Sequence, residues 1–180
     1  MNEKEYAQSW SGADTGDESF WNLSMQFDIR SLRTADPIAR IIEALFTRHH
    51  LKSQRQIITT IISELLTNAI DHGLLRLDST QKRTPKDFLE FYRQRQERLS
   101  STTEGLIEVK IEHTPIVNGS RLVINVTDSG QGFTPDKVFS DVDNNQQFFG
   151  RGIQLVKKLC RSVEYLGNGN HVKAVYEWHH

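Results

Sequence analysis

The sequence predicts an α/β chain built as a two-layer α+β sandwich, with one mixed, mostly antiparallel sheet and helices on one face. Three observations predict it. Ile107–His113 and Arg121–Thr127 alternate apolar and polar residues, the period of half-buried strands. Ile57, Ile58, Ile61, Ile62, Leu65, Leu66, Ala69 and Ile70 recur at helical spacing as a broad apolar stripe. The elements follow the order strand, helix, helix, insert, two strands, loop, helix, two strands, which suits one sheet packed against helices.

Each element has its own signal. Residues 1–19 read as a flexible lead-in, because the stretch 1–18 is polar and nearly free of aliphatics. Order is expected from Phe20, with a strand over Trp21–Ile29. Asp36-Pro37 supplies a capping carboxylate and a first-turn proline, and Ile38, Ile41, Ile42, Leu45 and Phe46 then line one helical face. Ser53-Gln54-Arg55-Gln56 has capping-box spacing at the head of the second helix, which is expected to stop at Gly73. Residues 74–105 read as an insert holding a third helix that starts at Thr84-Pro85 and places Phe88, Phe91, Tyr92 and Leu99 on one side. Residues 82–98 carry six Lys/Arg against three Asp/Glu. That mixture suits a docking amphipathic helix better than an RNA-binding one. Asn118-Gly119 marks the turn between the two alternating strands. A further helix spans Gly152–Cys160, and strands over Val163–Leu166 and Val172–Trp178 flank Gly167-Asn168-Gly169-Asn170. The domain is therefore expected over residues 20–178.

Composition narrows the function classes. With 180 residues, 37% hydrophobic and 25% charged, one soluble domain with a real core is expected. A net charge of −1 gives no basic field for direct nucleic-acid binding. No apolar run approaches the roughly 20 residues of a membrane helix, and no signal peptide is visible, so no membrane role and a cytoplasmic location are expected. Cys160 is the single cysteine and is read as a small buried hydrophobe. His49-His50 suits a helix C-terminus better than a metal. His179 and His180 are assigned no function. No nucleophile elbow accompanies the Ser, His and Asp residues.

Three motifs carry chemistry. Glu64 and Asn68 are four residues apart on one face of the second helix, with Asp71 and His72 continuing the polar side. A carboxylate there can orient and deprotonate a hydroxyl, and an amide oxygen can take one position on Mg²⁺. A solvated helix face has the same spacing. Asp128-Ser129-Gly130-Gln131-Gly132-Phe133 follows a strand directly. Its carboxylate can accept from an exocyclic amine such as adenine N6, and its glycines allow close approach of a flat base. A plain turn uses the same residues. Phe149-Gly150-Arg151-Gly152-Ile153 opens a helix, where free N–H groups and the positive helix end can cradle phosphate. No G-K-[ST] follows, so it is not a Walker A loop.

The conjunction is more specific than any part. E-x-x-x-N on a helix, D-x-G-x-G after a strand and G-x-G opening a helix, in that order, resemble the GHKL ATPases and their Bergerat ATP-binding fold. Glu64–Gly73 resembles the N box, Asp128–Gly132 the first glycine box, and Gly150–Gly152 the second. Within that superfamily the chain most resembles the anti-sigma-factor serine/threonine kinases, on two grounds. It has Glu64 where histidine-kinase domains usually carry Asn, and its His72-Gly73 ending and GRG-I-x-L-V-x-x-L-C-x-x-V-E-Y run match that group. The insert, and Cys160-Arg161-Ser162 in place of an acidic pair, depart from the group's pattern.

That resemblance implies a Mg-ATP-dependent protein kinase. Glu64 is the implied general base, and Asn68 the Mg²⁺ ligand within an ATP site that also includes His72. Asp128 is implied to bind adenine, with Gly130 and Gly132 lining the base pocket and Gly150, Arg151 and Gly152 meeting phosphate. Thr134–Phe149 is the implied lid; its Asp141, Asp143, Asn144 and Asn145 lack EF-hand spacing. The implied partners are a STAS-like anti-anti-sigma protein and a sigma factor, with a homodimer implied as well. Two rival readings are a nucleotide-binding partner module, such as the C-terminal domain of a larger phosphatase or response regulator, and the ATP-binding part of a histidine kinase. The absence of a phosphoacceptor helix pair weighs against the latter.

Overall fold

A computed structural model describes residues 7–12, 19–78, 84–132 and 151–179. Six strands form one sheet in the order β1-β2-β3-β4-β6-β5. They are β1 (Ala7–Gly12), β2 (Trp21–Asp28), β3 (Leu106–Ile116), β4 (Gly119–Asp128), β5 (Ser162–Leu166) and β6 (His171–His179). Every pairing among the described residues is antiparallel, so the sheet is uniform where a mixed one was expected. Alternation places Trp21, Leu23, Met25 and Phe27 in one buried row beside Ile107, Val109 and Ile111, then Leu122, Ile124 and Val126. The helices cover that face. They are α1 (Ser31–Thr34), α2 (Pro37–Leu45), α3 (Arg55–Asn68), α4 (Pro85–Ser101) and α5 (Arg151–Leu159). Ile41, Leu45, Ile58, Ile61, Ile62, Leu65, Leu66 and Val156 join the strand row in one core.

The lead-in expectation is corrected at Ala7–Gly12, which pairs with β2 along its length, from Ala7 opposite Gln26 to Gly12 opposite Trp21. Its anchor is aromatic. Trp10 lies 5.4 Å from Trp21, and the Arg48 guanidinium sits 4.9 Å from the Trp10 ring centroid. A polar composition hid a strand whose single large apolar side chain packs at the end of the sheet. Residues 1–6 and 13–18 of the lead-in lie outside the described residues.

Two helix boundaries also differ from expectation. Asp36 does cap α2, its Oδ1 accepting from the N–H groups of Ile38 and Ala39 at 2.9 and 3.2 Å. The capping box at Ser53 does not form. Residues His49–Gln54 make a 3-10 turn that runs straight into α3, and the Arg55 N–H bonds to Lys52 O, leaving no vacancy for a side-chain cap. Gly73 does not stop the helix either. α3 passes into a π-helical turn, Ala69–Leu74, closed by Leu75 N–H to Ile70 O at 2.9 Å. The insert forms α4 where expected, with a complete Thr84/Asp87 capping box. Of its four apolar residues only Phe91 and Leu99 are buried; Phe88 and Tyr92 are exposed. Asn118 takes a positive φ of 57° in the β3–β4 turn. Cys160 is buried, and burial pushes its thiol up to about 11.

Candidate nucleotide-binding site

The site begins with the inward row of β4. Leu122, Ile124 and Val126 occupy three successive core positions, and the next inward position is Asp128, opposite Ile107. A carboxylate thus stands at the end of an apolar row with only 7% of its surface exposed. Burial raises its pKa above the ordinary carboxylate value, offset in part by the Gly130 N–H donating to Oδ1 at 2.8 Å.

Gly73 is what lets α3 approach this carboxylate. A Cβ built on Gly73 would lie 2.5 Å from Asp128 Cγ and Oδ2. A Cβ on Gly130 would lie 2.6 Å from Asp128 Oδ1 and collide with the Gly73 carbonyl. Gly132 has φ +75°, and a Cβ there would meet the Asn168 backbone. So the Gly73 backbone packs against the Asp128 carboxylate and the Gly130 backbone, and Gly132 rests on the β5–β6 turn.

That turn fastens the Asp128 loop. The Asp128 N–H donates to Asn170 O and Asn170 Nδ2 donates to Asp128 O, both at 2.9 Å. Asn168 Nδ2 donates to Gln131 O at 2.8 Å. Ser129 ties the loop to β3 through two 3.0 Å bonds with the Leu106 backbone. The loop is therefore held on both flanks before any ligand arrives, which preorganises it.

Glu64 and Asn68 lie on one face of α3, both half-buried. The Glu64 carboxylate abuts Gly152 at the start of α5: a Cβ on Gly152 would overlap Oε2 and lie 2.8 Å from Cδ. Helix α5 has nine residues and directs its free N–H groups toward this end. Asn68 Nδ2 is enclosed with no hydrogen-bond partner among the described residues. A buried amide with an unmet group is costly unless something outside the protein engages it. These N–H donors suit a phosphate ligand or the waters around a hydrated cation.

Among the remaining expected site residues, His72 directs Nδ1 to the Leu77 carbonyl at 2.7 Å, a local link to the chain leaving the π turn. Arg151 opens α5, but its side chain lies outside the described residues, as do Gly150 and the whole Thr134–Phe149 segment. Sequence reasoning missed Gly73, Asn168 and Asn170. Gly73 was read as a helix stop and the end of the Glu64–Gly73 box, and the asparagines only as part of the run between two strands; a glycine close behind the polar Asp71-His72 pair was the available signal.

Residues 30–176 match the family model of the histidine kinase-like ATPase domain. The chain belongs to the histidine kinase-like ATPase family. The match runs from the chain entering α1 to β6, and so takes in α3, the Asp128 loop, α5 and the insert. Among curated proteins no match is found. A histidine kinase-like ATPase domain is an ATP-binding module of the GHKL type. In this member, no helix among the described residues is long and apolar enough to cross a membrane.

Proposed function

We propose that this ATPase-family domain is a Mg-ATP-dependent serine/threonine protein kinase of the anti-sigma-factor type, acting on a STAS-like anti-anti-sigma protein and able to hold a sigma factor. The observation that carries the reading is the contact between the Glu64 carboxylate and Gly152 at the N-terminus of α5. It sets a base beside a phosphate-binding helix end, an arrangement suited to deprotonating an acceptor hydroxyl next to a terminal phosphate. An Asn at position 64 could not take that proton.

The other roles follow from chemistry. The Asp128 carboxylate accepts from the adenine amine, and Gly73, Gly130 and Gly132 keep side chains out of the plane of the base. The α5 N-terminus, with Gly152 and the neighbouring Gly150 and Arg151, receives phosphate. Asn68 would hold Mg²⁺ through Oδ1, and the ion would supply neutralisation of phosphate charge. The unmet Asn68 Nδ2, an N–H donor, fits a phosphate oxygen or a water of such a hydrated ion, leaving Oδ1 for the metal.

Calorimetric titration of ATP with and without Mg²⁺ tests the site, beside Asp128→Asn and Asn68→Ala. Magnesium-dependent binding weakened by both substitutions is expected; no binding by folded wild-type protein would overturn the reading. Transfer of labelled phosphate to a purified STAS-domain protein tests the kinase. Glu64→Gln should abolish transfer and leave ATP affinity within about threefold, a shift below 1 kcal/mol. A second reading, a partner-binding module without transfer, is favoured by the exposed Phe88, Leu89 and Tyr92 on α4. It predicts nucleotide-dependent binding of the STAS-domain protein with no phosphate gained.

A further inference from the structure

The insert does not stand away from the nucleotide pocket. Asp71, in the π turn after α3, is almost fully buried, and its Oδ1 receives Arg95 Nε of α4 at 2.6 Å. Arg98 of α4 donates through Nη1 to the carbonyls of Leu75 and Arg76 at 2.8 and 2.5 Å. Leu77 N–H returns to Asp71 O at 2.7 Å. Together these bonds hold both ends of the short segment that contains Gly73. Helix α4 is itself fixed from the far side: Arg33 of α1 donates to the carbonyls of Leu99 and Ser100 at 2.9 Å and of Thr102 at 2.5 Å. Phe91 and Leu99 are buried in the core, and the Thr84/Asp87 capping box closes the other end of the helix.

Gly73 is the point where this segment touches Asp128, close enough that an added Cβ would lie 2.5 Å from the carboxylate. The position of the Gly73 backbone therefore sets where the carboxylate can stand. From this geometry we propose that α4 is a brace for base recognition, with Arg95 a positioning residue that acts through Asp71 and Gly73 on Asp128. The inference rests on the reading of Asp128 as the adenine acceptor. Removing Arg95 leaves the Asp71 carboxylate buried without its counter-charge, and the π turn must open to hydrate it. Gly73 then moves, the carboxylate gains freedom, and selectivity for the base falls. Phosphate contacts at α5 do not depend on this chain of contacts.

The discriminating measurement is the ratio of dissociation constants for ATP and inosine triphosphate, which replaces the exocyclic amine by a carbonyl. The full chain is used throughout. Wild-type protein is expected to prefer ATP by about a hundredfold, since a buried acceptor opposes a second acceptor. Arg95→Ala should cut that preference to below about tenfold, mostly by weakening ATP. Arg95→Lys, which keeps one charged donor, should restore it to within about threefold of wild type. A merely structural role for Arg95 would weaken both nucleotides alike and leave the ratio unchanged, and that result overturns the proposal. If Arg95→Ala does not fold, Asp71→Asn is read in its place, and an unchanged ratio there overturns the proposal equally. Wild-type protein that binds both nucleotides equally would instead overturn the adenine role of Asp128, and the brace with it.

Discussion

Asp128 combines two demands that pull against each other. Its place in the apolar row of β4 penalises the ionised form, while the proposed role as acceptor for an adenine amine favours that form. The folded-state pKa is raised by burial, so the native protein binds more protons than the unfolded chain between the ordinary carboxylate value and the raised one. Stability contributed at this residue falls as pH rises through that window, and the penalty is fully present above it. Asp128→Asn removes the penalty. The variant is expected to match or exceed wild type in urea midpoint at neutral pH while losing ATP affinity, and a lowered midpoint would contradict this account of the residue. ATP affinity of the wild type should decline as pH falls through the raised pKa, which titrations at stepped pH will show. Gly152 poses a simpler case. A methyl group there overlaps the Glu64 carboxylate, so Gly152→Ala should displace that carboxylate and, under the proposed kinase function, lower phosphotransfer by at least about tenfold, ~1.4 kcal/mol of barrier. Circular dichroism separates that loss from misfolding.

At the scale of elements, the join between α3 and the π turn decides how the site is shaped. An α-helix ending at Gly73 would carry the backbone away from β4, whereas the widened turn keeps Gly73 against Asp128 and turns Asp71 toward α4. Gly73→Ala sets two effects against each other. Alanine favours a helical backbone by about 1 kcal/mol, but its Cβ must push the carboxylate aside. The displaced group is a side chain, not a backbone, so the net change in stability should be small while ATP affinity drops by about tenfold or more. Calorimetry and a urea titration on one sample read both. The Asp36 cap belongs to a different element and touches no part of the site. Asp36→Ala should cost about 1 kcal/mol of unfolding free energy with unchanged nucleotide affinity.

For the molecule as a whole, the site is assembled from α3, β4, α5 and the β5–β6 turn, parts far apart in the chain that meet only in the folded state. Nucleotide binding must therefore couple to global stability. At a hundredfold excess of free Mg-ATP over its dissociation constant the fold should gain about 2.7 kcal/mol, seen as a raised unfolding midpoint that Asp128→Asn abolishes. Strand β1 makes a further whole-molecule contribution, because Trp10 covers Trp21 and meets Arg48 at the end of the sheet. Trp10→Ala is expected to lower stability by about 1–3 kcal/mol, with the Trp21 environment changing in fluorescence and nucleotide affinity kept.

Most of the architecture was legible because it rests on local signals. Period-two alternation fixed the facing of β3 and β4, period 3.6 fixed the core stripe of α3, and Asp36-Pro37 and Thr84-Pro85 marked helix starts that the structure keeps. The order of the three motifs was enough to identify an ATP-binding family. What the sequence could not supply was set by contacts between distant segments. Polarity in Ala7–Gly12 disguised a strand, because strand pairing uses backbone groups that every residue carries. Gly73 read as a terminator, because the carboxylate it must clear lies 55 positions along the chain. The insert looked like an excursion, because the partner of Arg95 is a buried aspartate whose burial exists only once α4 lies across the π turn. Local periodicity and capping determine elements. Which glycine meets which carboxylate is decided by packing, where the low tolerance for overlap at close range leaves one arrangement.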